Sequence, residues 1–286
     1  MNQLEHLSIP TNGITLHTVL AGPEAGPLVV LLHGFPEHWY SWRKQIPALA
    51  DAGFRVVAPD QRGYNLSDKP AHVRDYRLDA LTEDIVGLIR ALGRDQAVIV
   101  GHDWGGAVAH RLAMDYPAMV SKLVIMNSPH PRAMARELKR PRQLLKSWYI
   151  YFFQVPWLPE TILNLAPDYW AGVFFRDTAV NKHAFSDEDL EVTAKANARP
   201  RAMRSMINWY RAAVRFPPMA RTKQITAPTR IMWAEHDVAL SKPLTEGIAR
   251  WYGADFRIHF IARCGHWVQN EAPDEVNRLL LAFVAH

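Results

Sequence analysis

Short apolar runs rich in β-branched residues recur along the first half of the chain, at Pro27–Leu32, Phe54–Ala58, Gln96–Val100 and Lys122–Met126. Longer stretches with helical spacing lie between them, and that alternation predicts a parallel sheet. Between the second and third runs, Leu78, Leu81, Ile85, Leu88, Ile89 and Leu92 repeat every three to four residues and place one apolar stripe on a helix that packs on the sheet. Ahead of them, Leu7–Leu20 contains Thr11-Asn12-Gly13, a turn that tolerates positive φ and predicts an antiparallel edge hairpin, so the sheet is mixed. From about His130 to Ala220 the pattern changes to a Trp-, Tyr- and Phe-rich helical region broken by prolines. Strand patterns resume at Thr229–Trp233 and Phe256–Ile261, and Pro273–Val284 lines Val276, Leu279, Leu280 and Phe283 along a closing helix that starts at a proline.

The reading is an α/β fold with helices on both faces of a mostly parallel sheet. Its core comprises residues 1–129 and 221–286, and a helical cap or lid, residues 130–220, is inserted through hinges at Pro129–Pro131 and Pro217–Pro218.

With 49% hydrophobic and 21% charged residues in 286, the chain has enough apolar surface to build a core and does not read as disordered. Its net charge of +5 raises nucleic acid or an anionic membrane as partners, but Lys and Arg are spread without the aromatic interleaving of a nucleic-acid groove. No nucleic-acid partner is expected. The densest basic run, Arg136, Lys139, Arg140, Arg142 and Lys146, reads as a solvated helix face, with an anion or membrane contact as the alternative. A single cysteine, Cys264, excludes an intramolecular disulfide. The opening MNQLEHLSIP lacks a secretory pattern, and no apolar run reaches the roughly 18 residues of a membrane span. The expectation is a cytoplasmic enzyme, monomeric or homodimeric. Neither a Gly-x-Gly-x-x-Gly or phosphate loop nor a His-Glu-x-x-His pattern is present, so no cofactor or metal is expected.

The motif with most chemical content is Val98-Ile99-Val100-Gly101-His102-Asp103-Trp104-Gly105-Gly106, a strand running straight into a helix. Glycines on both sides of the central residue suit a sharp turn in which strand and helix pack closely, the geometry of a nucleophile elbow. The central residue is Asp103; its plainer role would be a helix N-cap. At this elbow the sequence resembles the α/β-hydrolase family through nearly its whole length. An acid at the elbow narrows the resemblance to epoxide hydrolases and dehalogenases. A carboxylate displaces at an sp³ carbon to give an alkyl ester that water then hydrolyses, splitting one difficult step into two.

The resemblance implies further roles. His266, in Cys264-Gly265-His266-Trp267 after the last strand, stands where the family keeps its catalytic histidine, a base near neutral pH. Asp237, in Trp233-Ala234-Glu235-His236-Asp237, stands where the acid that orients the histidine belongs, with Glu235 a rival. Some relatives carry that acid after the preceding core strand, where this chain has the uncharged Asn127. Leu32-His33-Gly34-Phe35-Pro36-Glu37 resembles the segment whose backbone helps form the oxyanion hole, with the amides of Phe35 and Trp104 as donors. In the lid, Ser147-Trp148-Tyr149-Ile150-Tyr151-Phe152-Phe153-Gln154 and Asn208-Trp209-Tyr210-Arg211 resemble the tyrosine-bearing segments of epoxide hydrolases. Tyr149 and Tyr210 would protonate the opening epoxide, with Tyr151 an alternative to Tyr149.

The implied activity is conversion of a small hydrophobic epoxide and water to a vicinal diol. Trp148, Phe152, Phe153, Trp157, Trp170, Phe174, Phe175 and Trp209 are candidates to line its apolar pocket or to pack the lid. The nearest rival is haloalkane dehalogenation, since Trp104 also sits where those relatives hold a halide. Phe35 stands where they often add a second halide donor, and its side chain donates nothing. Fluoroacetate dehalogenases carry arginines after the nucleophile, and this chain has Trp104 and Ala107 instead. A non-catalytic binding protein on the same fold is disfavoured by Asp103, Asp237 and His266 occurring together.

Overall fold

The computed structural model describes residues 4–217 and 223–285. Eight strands, β1 (Glu5–Thr11), β2 (Ile14–Ala21), β3 (Leu28–Leu32), β4 (Arg55–Pro59), β5 (Ala97–His102), β6 (Val120–Met126), β7 (Thr229–Ala234) and β8 (Phe256–Ile261), form one sheet in the order β1-β2-β4-β3-β5-β6-β7-β8. β1 and β2 pair antiparallel through a two-residue turn in which Asn12 and Gly13 take φ of 43° and 73°; Thr11 faces Ile14 across it. β2 also runs antiparallel to β4, and the pairings from β4 across to β8 are parallel. Every sequence-predicted strand is present, with ends shifted by at most two residues in the core runs.

The central strands are apolar on both faces because both are covered. Val30, Leu32 and Ile99 face a cluster built with α2 (Leu78–Ala91) and α3 (Trp104–Asp115), which follow α1 (Ile46–Asp51) in the chain. Val29, Leu31, Val98 and Val100 face α1 and the closing helix. The predicted stripe of α2 delivers Leu81, Ile85, Leu88 and Ile89 to the first cluster.

Among the described residues between β6 and β7 lie seven helices: α4 (Pro131–Glu137), α5 (Pro141–Lys146), α6 (Trp148–Phe152), α7 (Leu158–Leu165), α8 (Pro167–Ala171), α9 (Asp187–Asn197) and α10 (Ala202–Arg215). A π-helical segment, Gly172–Asp177, continues α8. Prolines open α4, α5, α7 and α8, where a missing N–H costs no helical bond. α11 (Val268–Glu271) and α12 (Pro273–Val284) close the chain. The expected hinge at Pro129–Pro131 coincides with the start of α4. The one at Pro217–Pro218, and the boundary at residue 220, fall partly or wholly outside the described residues.

The basic run does not form a uniformly solvated face. Arg136 turns inward to Glu137 and the Pro243 carbonyl, and Lys146 donates to the Asp237 carbonyl at 2.6 Å; Lys139, Arg140 and Arg142 stay exposed. Each of these inward-facing cations donates to a part-buried backbone carbonyl of the segment that follows β7. Among the described residues no helix is long and apolar enough to cross a membrane.

Candidate active site

From β3 the chain goes to β4 on one side of the sheet, and it later enters β5 on the other side. The crevice outside the carboxyl ends of β3 and β5 is therefore the switch point at which open α/β sheets hold ligands. Asp103 stands there, directly after β5, with φ 48° and ψ −117°, a conformation a non-glycine residue rarely adopts. Close packing enforces it. A Cβ on Gly105 would run into the carbonyls of Leu32 and His33, and one on Gly34 would meet the Asp103 side chain.

The turn presents the two carboxylate oxygens differently. Oδ1 accepts the Phe35 N–H at 3.0 Å, while Oδ2 lies 3.8 Å from His266 Nε2, too far for a hydrogen bond. Ser128 Oγ donates to the Asp103 carbonyl at 2.7 Å. Trp104 opens α3, so its N–H is among the first-turn donors that no helical carbonyl reaches.

His266 Nδ1 bonds Asp237 Oδ2 at 2.7 Å. The other Asp237 oxygen accepts the N–H groups of Ala239 and Leu240 at 2.7 and 2.8 Å. Burial disfavours the Asp237 charge, yet the His266 interactions and these hydrogen bonds outweigh it and hold the carboxyl below its ordinary range. For His266 burial likewise opposes the imidazolium. The charges of Asp237, Asp103 and Glu37 prevail and raise its pKa to about 9. Glu235 is turned outward to Lys242 at 2.7 Å.

Tyr149 and Tyr210 come together over this site with ring centres 5.8 Å apart, and Tyr210 lies edge-on to Trp104 at 5.0 Å and to Phe35 at 5.2 Å. Burial, reinforced by the Asp103 charge, pushes both phenols well above the usual tyrosine range, so each is a neutral O–H donor. Tyr151, the alternative, is 57% exposed on the outer side of α6. Of the aromatic candidates, Phe153 and Phe174 pack on Phe35 at 5.5 and 5.9 Å, and Phe175 packs on Trp267 at 4.4 Å. Trp148 and Trp157 are largely solvent-exposed, at 63 and 77%, with Trp148 touching Phe152 at 5.9 Å between ring centres.

Several supporting groups had no clear signal in the sequence. Asn127 donates to Asp237 Oδ2 at 2.6 Å and accepts the Ala234 N–H at 2.9 Å, so the position without a charge still contributes to holding the acid. Glu37 accepts Gly34 N–H at 2.9 Å and pairs with His102 at 2.7 Å, whose other nitrogen bonds the His266 carbonyl at 2.9 Å. Glu271 binds the N–H groups of Gly265 and Trp267 beside His266, and those of Val180 and Asn181 in the insertion. Arg211 bonds the Phe153 carbonyl and forms a two-point ion pair with Glu160, tying α10 to α6 and α7. Glu37, His102 and Arg211 lie within the quoted motifs. Only their burial distinguishes them from surface charges.

Residues 27–273 match the model of the α/β hydrolase fold family. The chain belongs to the α/β-hydrolase family. This α/β-hydrolase is 43% identical to the AB hydrolase superfamily protein YfhM of Bacillus subtilis over 96% of both chains. It is 37% identical to human epoxide hydrolase 4, covering 98% of this chain and 78% of that one. Epoxide hydrolase A from Mycobacterium thermoresistibile superposes with a TM-score of 0.87 at 32% identity, covering 99% and 98% of the two chains. A point mutant of an epoxide hydrolase from Bacillus megaterium, in complex with its naphthyloxy-propane-1,2-diol product, superposes with a TM-score of 0.90 at 30% identity, covering 98% and 100%.

Proposed function

We propose that this α/β-hydrolase converts an apolar epoxide to a vicinal diol through an ester on Asp103, beneath a cap formed by the helices between β6 and β7. The observation that carries the reading is a pair of neutral phenols, Tyr149 and Tyr210, gathered over a carboxylate at a strained elbow. Asp103 Oδ2 attacks a ring carbon, the C–O bond breaks, and the departing oxygen takes its proton from one phenol.

Ester formation also removes the Asp103 charge, one of the charges that hold the His266 pKa at about 9. His266 then gives its proton to the tyrosinate and becomes a free base. Water attacks the ester carbonyl while His266 Nε2 takes its proton. The oxyanion forms on Oδ1, which already sits on the Phe35 N–H, with Trp104 N–H as the second donor; each such donor is typically worth about 3 kcal/mol. The tetrahedral intermediate collapses by breaking the bond between Cγ and the ester oxygen Oδ2, which leaves with the substrate as an alkoxide while water's oxygen stays on the carboxyl carbon. That alkoxide takes the proton of the hydroxyl delivered by water, which leaves the diol, the Asp103 carboxylate and the His266 imidazolium, so protons balance over the cycle.

Phe35, Phe153 and Phe174 around the elbow favour an apolar substrate, and Phe35 supplies no side-chain donor for a halide.

The test is intact-protein mass spectrometry of His266→Gln incubated with an aryl epoxide and, separately, a bromoalkane. The expected result is a mass gain equal to the whole epoxide, mapped to Asp103. An alkyl adduct from the bromoalkane alone would identify a dehalogenase, and no adduct from either would remove the covalent mechanism.

A further inference from the structure

The stretch α5–α6 carries apolar side chains on its outward side as well as on the side that meets the core, unlike a helix whose outer face meets only water. Ser147 alone separates the two helices and its N–H bonds the Gln143 carbonyl at 2.9 Å, so they run on as one bent helix. Its inward side carries buried polar groups: Gln143 Nε2 bonds Ser147 Oγ at 3.0 Å and the Ala239 carbonyl at 2.8 Å. Its outward side carries Leu145, Trp148 and Tyr151, spaced by three residues and 74, 63 and 57% exposed, and Val155, 41% exposed, follows beyond the end of α6. Such a stripe belongs against an apolar medium. Trp157 follows at the start of α7, 77% exposed and with φ 60°, where neither packing nor backbone preference accounts for a tryptophan.

Charge identifies the medium. Between Glu137 and Glu160 the sequence holds no Asp or Glu, and Glu160 is buried against Arg211. The exposed cations Lys139 and Arg142 therefore border the apolar stripe without an exposed acid in that stretch, beside Arg140, which pairs with the buried Glu137 at 3.6 Å. Tryptophan and tyrosine beside lysine and arginine suit the headgroup region of a bilayer with anionic lipids. An isologous contact with a second copy would set these cations against themselves. We infer that the outer face of α5–α6 and Trp157 docks peripherally on an anionic lipid surface. Tyr149 and Phe153 occupy the inner side of the same helix. Docking therefore seats the roof of the site on the phase in which an apolar epoxide dissolves, a consequence that rests on the proposed activity, as the docking itself does not.

The test is co-sedimentation of the full chain with vesicles of equimolar phosphatidylcholine and phosphatidylglycerol, alongside phosphatidylcholine vesicles, with the oligomeric state followed by sedimentation velocity. Wild type should bind the anionic vesicles, and raised salt should weaken the binding. Lys139→Gln with Arg142→Gln should weaken partitioning about 25-fold, at roughly fivefold per basic residue. Trp148→Ser with Trp157→Asn should weaken it at least as much without lowering the melting temperature, since both side chains are exposed and asparagine tolerates the left-handed backbone. Absence of vesicle binding, equal binding to uncharged vesicles, or binding indifferent to both double variants would each overturn the inference. Self-association abolished by the tryptophan substitutions, with no vesicle binding, would assign the face to a second copy instead.

Discussion

At the residue scale the site depends on the charge of one side chain setting the protonation of another. His266 owes a pKa of about 9 to the carboxylates of Asp237, Asp103 and Glu37, against burial that works the other way. Asp103→Asn imitates the neutral ester and should lower that value, as read by imidazole NMR titration. A titration that does not move would show that Asp103 does not govern the base. In the proposed mechanism the phenols act as a pair, so Tyr149→Phe or Tyr210→Phe should each slow ring opening about 10- to 100-fold in single-turnover kinetics, and the double variant should lose far more. Rates unchanged in the double variant would take both out of the mechanism. These residue types were legible in the sequence because their motifs are local. That Tyr149 rather than Tyr151 turns toward Asp103 was not, since both belong to one short helix and only its packing decides which side faces inward.

At the element scale, the elbow exists because β3, β5 and α3 approach one another without Cβ atoms between them. Gly105→Ala would press a methyl group into the Leu32 and His33 carbonyls and should cost about 1–3 kcal/mol in urea unfolding. The loop after β3 adds a buried pair to this junction. Burial opposes ionisation of Glu37, but His102, Ser41 and the Gly34 N–H lower its pKa from 4.5 to about 2. A folded pKa below the unfolded one contributes stability that is complete above pH 4.5 and is lost as pH falls toward 2. Melting temperature should therefore drop more steeply across that window in wild type than in Glu37→Gln. Parallel slopes would show that the pair carries no acid sensitivity. The strands and the α2 helix were readable from periodicity, since a sheet covered on both faces and a one-sided helix leave different repeats. The helices between β6 and β7 were readable only as a helical region, because prolines divide them into pieces mostly shorter than two turns.

At the scale of the whole molecule, residues far apart in the chain are locked over the crevice. Glu271 joins the His266 loop to Val180 and Asn181, and Arg211 joins α10 to α6 and α7. Glu271→Ala leaves four backbone N–H groups without their acceptor. It should raise hydrogen exchange at 180–181 and 265–267 together and reduce turnover; exchange confined to one side would show the two segments to be uncoupled. The sequence by itself determined the alternation of strands and helices, the inserted helical region and the motif residues Asp103, Asp237 and His266, because periodicity and short motifs are encoded within a few neighbouring positions. Tertiary structure alone decided that Asn127 bonds Asp237 and that Glu37 reaches the His266 carbonyl through His102, that Arg136 and Lys146 turn inward, and that Trp148 and Trp157 face outward. Burial and pairing depend on which distant segments meet, and no local spacing records that.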